Sequence, residues 1–281
     1  MNKNFINYMK GEQKSDCTIK AYVADVQQML NYVGKDDMAI TKADLIDWKA
    51  SISNLASASV HRKVAAVKAY FNYLEEIETR LDNPCRNFKN VKVKNREKLP
   101  ITSADIKAML GAVHSKRNYA MIYMLGATGM RVSELTGLTY EQYITRSNDA
   151  IVINGKGDKD RVIHLNDAVI AAIDDYIFST RSCNEAMDRS EWLFCTDSGN
   201  QVATSNFDVM LKTVAKAANV ADYEHISAHT IRHSFATMLA EQHVDLDVIQ
   251  TLLGHSTLEM TRKYIKTNLS RISCATDRVV F

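Results

Sequence analysis

From Ala150 to Leu165 the chain reads Ala-Ile-Val-Ile-Asn-Gly-Lys-Gly-Asp-Lys-Asp-Arg-Val-Ile-His-Leu. Two β-branched runs flank a turn with two glycines, which is the pattern of an antiparallel hairpin. The stretch stands out because most of its surroundings show the three-to-four-residue apolar spacing of helices. Downstream, the pattern predicts helices over residues 167–179, over residues 205–218 and from His229 onward. Upstream, Ile101-Thr-Ser-Ala-Asp105 opens one helix, and residues 119–126 form an apolar segment suited to a buried one. Residues 100–281 are therefore expected to be mainly helical with one small antiparallel sheet.

The preceding part is helical by pattern alone. Ile19, Tyr22, Val26, Met29, Leu30 and Val33 recur at helical spacing, with Ser15 or Asp16 as the N-cap and the first helix starting near residue 15. Thr41-Lys-Ala-Asp44 has the form of a capping box and starts a second helix carrying Leu45, Ile46 and Trp48. A third runs through Val60 to Leu74, and Asn83-Pro84 is expected to stop the helical run. These pieces predict a helical bundle over residues 1–85 whose exposed faces carry Lys20, His61, Arg62, Lys63 and Lys68. Residues 86–99 hold Arg86, Lys89, Lys92, Lys94, Arg96 and Lys98 against a single acid, Glu97, and read as a basic interdomain linker.

A chain of 281 residues is long enough for two domains with real cores. Its net charge of +2 says little about partners, but the basic strip suits the phosphates of a duplex backbone as well as it suits a solvated linker. No apolar run approaches the roughly 20 residues that span a bilayer, and the N-terminus lacks a signal-peptide core. Cys17, Cys85, Cys183, Cys195 and Cys274 are scattered, odd in number and without CxxC spacing. They point to reduced thiols in the cytoplasm and to neither a zinc site nor a disulfide frame.

Four short segments carry the chemistry. They are Thr128-Gly-Met-Arg131-Val-Ser-Glu134-Leu, the hairpin turn Gly155-Lys156-Gly157, His229-Thr-Ile-Arg232-His-Ser, and Leu253-Gly-His255-Ser with Tyr264 nine residues beyond His255. Their candidate reactive groups are one phenol (Tyr264), two guanidiniums (Arg131 and Arg232), two imidazoles (His229 and His255) and one ammonium (Lys156). A phosphodiester repels nucleophiles and has a basic leaving oxygen, so its cleavage calls for fixed cations and an acid. This set supplies both without a metal or other cofactor. Taken singly each piece has a plain structural reading: Arg131 can pair with Glu134 three residues on, Lys156 can be a solvated turn residue, and Tyr264 can belong to a core.

In order, type and spacing these segments resemble the tyrosine recombinase family, the phage integrase and Xer group, over nearly the whole chain. The resemblance implies a SAM-like core-binding helical domain over residues 1–85 and a catalytic domain over residues 100–281. It implies that Tyr264 attacks the scissile phosphorus, giving a 3′-phosphotyrosine and a 5′-hydroxyl. His229 would take the phenolic proton, Arg131, Arg232 and His255 would hold the non-bridging oxygens, and Lys156 would protonate the leaving oxygen. Lys159 is the alternative acid, Glu134 orients the arginine box, and His233 is structural. The expected partners are a double-stranded core site, gripped through Lys20, His61, Arg62, Lys63, Lys68, Lys92, Lys94 and Arg96, three further copies of the chain, and in some systems an accessory protein. With the first helix near residue 15, no room is expected for an additional arm-binding domain. Two other readings share part of the pattern. A type IB topoisomerase would relax DNA without exchanging sites, and a DNA-binding regulator would form no covalent complex; the complete set of six residues argues against the latter.

Overall fold

The computed structural model describes residues 3–93, 101–153 and 160–254, and the chain separates into two compact units, Met1–Glu97 and Lys98–Phe281. The first unit contains helices α1 (Lys3–Gly11), α2 (Asp16–Val33), α3 (Lys42–Ser51) and α4 (Ser57–Glu76). Ser15 is the N-cap of α2, accepting from the Thr18 amide at 3.3 Å. Thr41 and Asp44 form the reciprocal capping box at the start of α3, so both caps sit where the sequence placed them. On α4, Val60, Val64, Val67, Phe71 and Leu74 advance by three or four residues and are buried together. They meet Val26 and Met29 of α2, Leu45 and Trp48 of α3, and Phe5 and Met9 of α1.

Helix α1 lies upstream of the predicted first helix, so residue 15 is not where helical structure begins. Its signal was short: Phe5 and Met9 are four apart in a helix of only nine residues, and both are essentially inaccessible to solvent. The Phe5 ring stands edge-on to Tyr70 with centroids 5.2 Å apart, and Tyr8 donates to Glu76 at 2.8 Å. A second difference is the end of α4. The helix stops at Glu76, before Asn83-Pro84, with Glu78 in the left-handed region at φ 54°. Here the buried Arg80 turns inward and donates to the carbonyls of Asp37 and Ile40 at 2.6 and 2.7 Å. The chain after Pro84 stays on the first unit, where Cys85 and Phe88 join its core.

In the second unit, α5 (Ser103–Gly111) opens on a Thr102–Asp105 capping box and leads into α6 (Lys116–Thr128). Two one-turn helices, α7 (Val132–Thr136) and α8 (Tyr140–Ile144), precede strands β1 (Ala150–Ile153) and β2 (Arg161–His164). The strands pair antiparallel, with Ile151 opposite Ile163 and Ile153 opposite Arg161. Side chains alternate in and out: Ile151, Ile153, Arg161 and Ile163 are buried, while Val152 and Val162 are exposed. Next come α9 (Asp167–Tyr176) with a π-helical turn over Ile177–Arg181, the short α10 (Glu185–Asp188), α11 (Thr204–Ala217) and a 3₁₀ turn over Tyr223–His225. The helical run predicted from His229 onward is two helices, α12 (Ala228–Glu241) and α13 (Leu246–Leu253), separated at His243, whose φ is 61°.

Helix α6 is the axis of this unit. Met121, Ile122, Met124 and Leu125 are buried against Ile173 and Tyr176 of α9 and Ile231 of α12. A smaller apolar cluster, Ala236, Ala240, Ile249 and Leu253, fastens α13 to the far end of α12. The Ile101 amide donates to the buried Ser234 hydroxyl at 2.6 Å, tying the entrance of the unit to α12. No described helix is long and apolar enough to cross a membrane.

If α1 is part of the first core, Phe5→Ala should cost about 3–5 kcal/mol, the usual range for emptying a buried aromatic site. Urea unfolding followed by circular dichroism measures this, and a change under about 0.5 kcal/mol, typical of a surface position, would detach α1 from the core.

Candidate active site

The end of α6 is closed by Gly129 in the left-handed conformation, φ 60°. A side chain there would run into the ring of Phe235 on α12, so glycine is required both for the turn and for the approach of the two helices. Met130 is buried, and Arg131 then takes the N-cap position of α7. Arginine caps poorly compared with serine or aspartate. Glu134 compensates by reaching back to the Arg131 amide at 2.6 Å, while its other oxygen accepts from Arg131 Nη1 at 2.9 Å. Arg131 Nη2 donates to the Gly254 carbonyl at 3.0 Å.

Arg232 lies on α12 and is buried. Its Nη1 donates to the Gly129 carbonyl at 2.7 Å and its Nη2 to the Leu253 carbonyl. Arg131 and Arg232, a hundred residues apart in sequence, therefore bond to the consecutive carbonyls of Gly254 and Leu253 at the end of α13. Helix C-terminal carbonyls carry partial negative charge, which suits guanidinium partners. His229 is exposed in the first turn of α12, three residues before Arg232. Of the six catalytic residues expected from the sequence, Arg131, His229 and Arg232 are described; Lys156, His255 and Tyr264 lie outside the described residues, as does Lys159.

Arg161 is the participant that sequence reading left without a role. It is the first residue of β2, on the buried phase of the strand, and it grips Glu134 with two hydrogen bonds of 2.7 and 2.6 Å. Its signal was legible: in Arg161-Val-Ile163-His-Leu165 the arginine shares the inward phase of two aliphatics, and an inward charge requires a buried partner. Gly254 completes the cluster. It caps α13 at φ 61°, and a Cβ added there would lie 3.0 Å from Arg161 Nη1. Burial by itself would raise the Glu134 carboxyl, but the bonds from Arg161, the Arg131 amide and the Arg131 guanidinium outweigh it and hold the group below the usual glutamate range.

The basic residues of the first unit divide into two sets. Lys20 and Lys92 are exposed, and His61 is exposed with Nδ1 2.9 Å from the Val91 carbonyl. Arg62 and Lys63 both pair with Asp25, which is buried. Lys63 keeps only 13% of its side chain accessible, so it is not on the open face predicted for it, and Lys68 is half-buried. Lys94 and Arg96 lie outside the described residues.

Residues 100–271 match the phage integrase family, and residues 3–77 match the phage integrase N-terminal SAM-like domain. The chain belongs to the phage integrase family. Membership makes it a tyrosine-type site-specific DNA recombinase, mainly helical, with a SAM-like domain ahead of the catalytic one. A tyrosine recombinase of Pseudothermotoga lettingae is 30% identical over 273 residues, covering 94% of this chain and 92% of that protein. The tyrosine recombinase XerD of Vibrio cholerae is 30% identical over 265 residues, covering 91% and 87%. Among solved structures, the Tn1549 transposon integrase in complex with a circular intermediate DNA shares the fold, with a TM-score of 0.75 over 98% of each chain and 18% identity.

For this recombinase, Glu134→Ala should cost about 3–5 kcal/mol at neutral pH, because Arg161 is left as an unpaired buried cation. The sign of its pH dependence follows from the lowered carboxyl. The stabilisation is full above the unfolded glutamate value of about 4.3 and is lost as pH falls through the lower folded value. The difference between parent and variant in urea unfolding should thus be constant at pH 5 and above and shrink below about pH 4.3; a difference that grows on acidification would contradict the assignment.

Proposed function

We propose that this recombinase cuts and rejoins DNA at a specific core site through a covalent 3′-phosphotyrosine on Tyr264. The observation that supports the reading best is the convergence of Arg131 and Arg232 on the consecutive carbonyls of Gly254 and Leu253. A phosphate beside that junction would meet two guanidiniums whose directions are already set, so little reorganisation is needed when charge builds on its oxygens. The chain continues directly from Gly254 into His255 and reaches Tyr264 nine residues later.

In the proposed step the Tyr264 phenolic oxygen bonds to phosphorus as the bond from phosphorus to the 5′-oxygen breaks. The phenolic proton passes to His229, since a tyrosine with pKa of about 10 supplies little phenolate at neutral pH. Lys156 protonates the departing oxygen, giving a free 5′-hydroxyl. Arg131 and Arg232 neutralise the non-bridging oxygens together with His255. The phosphodiester energy is kept in the phosphotyrosine link, so a hydroxyl from a second duplex can attack it and complete exchange with neither ATP nor a metal.

Residues 1–85 are assigned to core-site binding, residues 86–99, whose first part is still anchored on that unit's core through Phe88, to the link, and residues 100–281 to catalysis. Exposed Lys20, His61 and Lys92 are the best placed of the backbone contacts, with Arg62 half-engaged by Asp25. Exchange between two sites calls for two copies on each, a homotetramer acting on cytoplasmic DNA, with or without an accessory protein. Resolution of circular DNA, integration and excision all use this reaction.

Two outcomes test the chemistry. The target is obtained by selecting duplexes from a random library with the Tyr264→Phe protein, then nicking them beside the cleaved phosphate so that the cut strand is lost. On such a duplex the parent protein should form an adduct resistant to denaturing electrophoresis, while Tyr264→Phe should bind equally and form none; an adduct from the phenylalanine protein would reject the nucleophile. Lys156→Ala should slow cleavage about 10²–10⁴-fold, the usual contribution of a general acid. Replacing the leaving oxygen with sulfur, which departs unprotonated, should restore most of that rate; if it does not, the acid lies elsewhere.

A further inference from the structure

We infer that Arg161 is a positioning residue for Arg131: it absorbs the charge of Glu134, so that Glu134 can aim the Arg131 guanidinium without cancelling it. The inference rests on the role proposed above for Arg131 at the scissile phosphate.

Glu134 gives both oxygens to Arg161, at 2.7 and 2.6 Å, but receives only one side-chain bond from Arg131, at 2.9 Å. The two-pronged pairing is the stronger. Arg161 keeps 8% of its side chain accessible and Arg131 keeps 40%, so the better-paired guanidinium is sealed inside and the other faces outward. Glu134 and Arg131 alone would form a neutral pair. With Arg161 added, two cations share one anion, and the uncompensated positive charge sits on the member that an incoming phosphate can reach.

Arg161 also touches the other partner of Arg131. Arg131 Nη2 donates to the Gly254 carbonyl, and Gly254 packs so closely on Arg161 that a Cβ would come within 3.0 Å of Nη1 and 3.1 Å of Cδ. Both anchors of the Arg131 guanidinium therefore lean on this one side chain. Packing alone gives no reason for a cation here, because its neighbours on the inward face of the sheet are Ile151, Ile153 and Ile163 and burying a guanidinium is costly.

The test measures single-turnover cleavage and DNA affinity for the full-length protein, Arg161→Lys and Arg161→Gln on the selected suicide duplex. Three scissile groups are compared: the ordinary phosphate, a methylphosphonate that lacks one negative charge, and a 5′-sulfur leaving atom. Arg161→Gln should cleave about 10- to 100-fold more slowly, by analogy with the loss when the outer partner of a metal ligand is removed, with DNA affinity unchanged. Arg161→Lys, which keeps the charge, should recover part of the rate. Methylphosphonate should narrow the gap to the parent, because less charge needs neutralising, whereas sulfur should leave it intact. The pair Glu134→Gln with Arg161→Gln removes both charges and should cleave faster than Arg161→Gln alone, which a variant that is merely misfolded would not do. An unchanged cleavage rate, a loss confined to affinity, rescue by sulfur, or a double variant no better than the single would each overturn the inference. A parent protein that forms no adduct through Tyr264 would instead overturn the proposed function.

Discussion

Concentrating positive charge is the constraint on which this structure turns. Two guanidiniums meet on Glu134, and two unit charges about 4 Å apart repel by about 4 kcal/mol at an effective dielectric of about 20. Arg232 adds a third cation nearby, through the carbonyl next to the one that Arg131 uses. The fold tolerates this because each guanidinium is given anionic or dipolar partners before any DNA arrives. Glu134 serves two of them, and the carbonyls of Gly129, Leu253 and Gly254, all at helix ends, serve the rest. These partners come from the ends of α6 and α13 and from α7, and the cations from α12, the N-cap of α7 and the first residue of β2. The site therefore depends on the whole second unit being folded.

Local stability has been given up for that arrangement in identifiable places. Arg131 occupies a helix N-cap where a short oxygen-bearing side chain would be preferred, and Glu134 makes good part of the loss. Arg161 takes an inward strand position that an aliphatic residue would fill at lower cost. Gly129 and Gly254 hold left-handed helix ends while allowing Phe235 and Arg161 to come close. Each departure from local preference lies around Arg131 and Arg232, as expected where function and folding compete.

Much of this was legible in the sequence, for physical reasons. Thr41–Asp44 and Ser15 announce helix starts through short-range hydrogen bonds that depend on a few adjacent residues, and both hold. The hairpin was legible from β-branched runs around glycines, and its register carries Ile151 and Ile163 inward as alternation requires. The Arg131–Glu134 pair was legible because three residues separate them on a single helical turn. What escaped was set by distant contacts. Helix α1 is held by Tyr70, Tyr73 and Glu76 on α4, not by its own pattern. The end of α4 is fixed by Arg80 reaching carbonyls forty residues upstream. Lys63 looked like a surface cation until Asp25, on another helix, drew it inward. Arg161 was legible as an inward charge, but its partner was not, because Glu134 lies 27 residues earlier on α7.

The central claim is that Arg131 and Arg232 address one and the same phosphate. A crystal structure of the Tyr264→Phe protein on its selected core-site duplex tests it most directly. The account predicts both guanidiniums at about 2.7–2.9 Å from non-bridging oxygens of the phosphate that the parent protein cleaves, with Arg131 still joined to Glu134. A complex in which the two arginines contact different phosphates, or in which Arg131 turns away from the backbone, would contradict it.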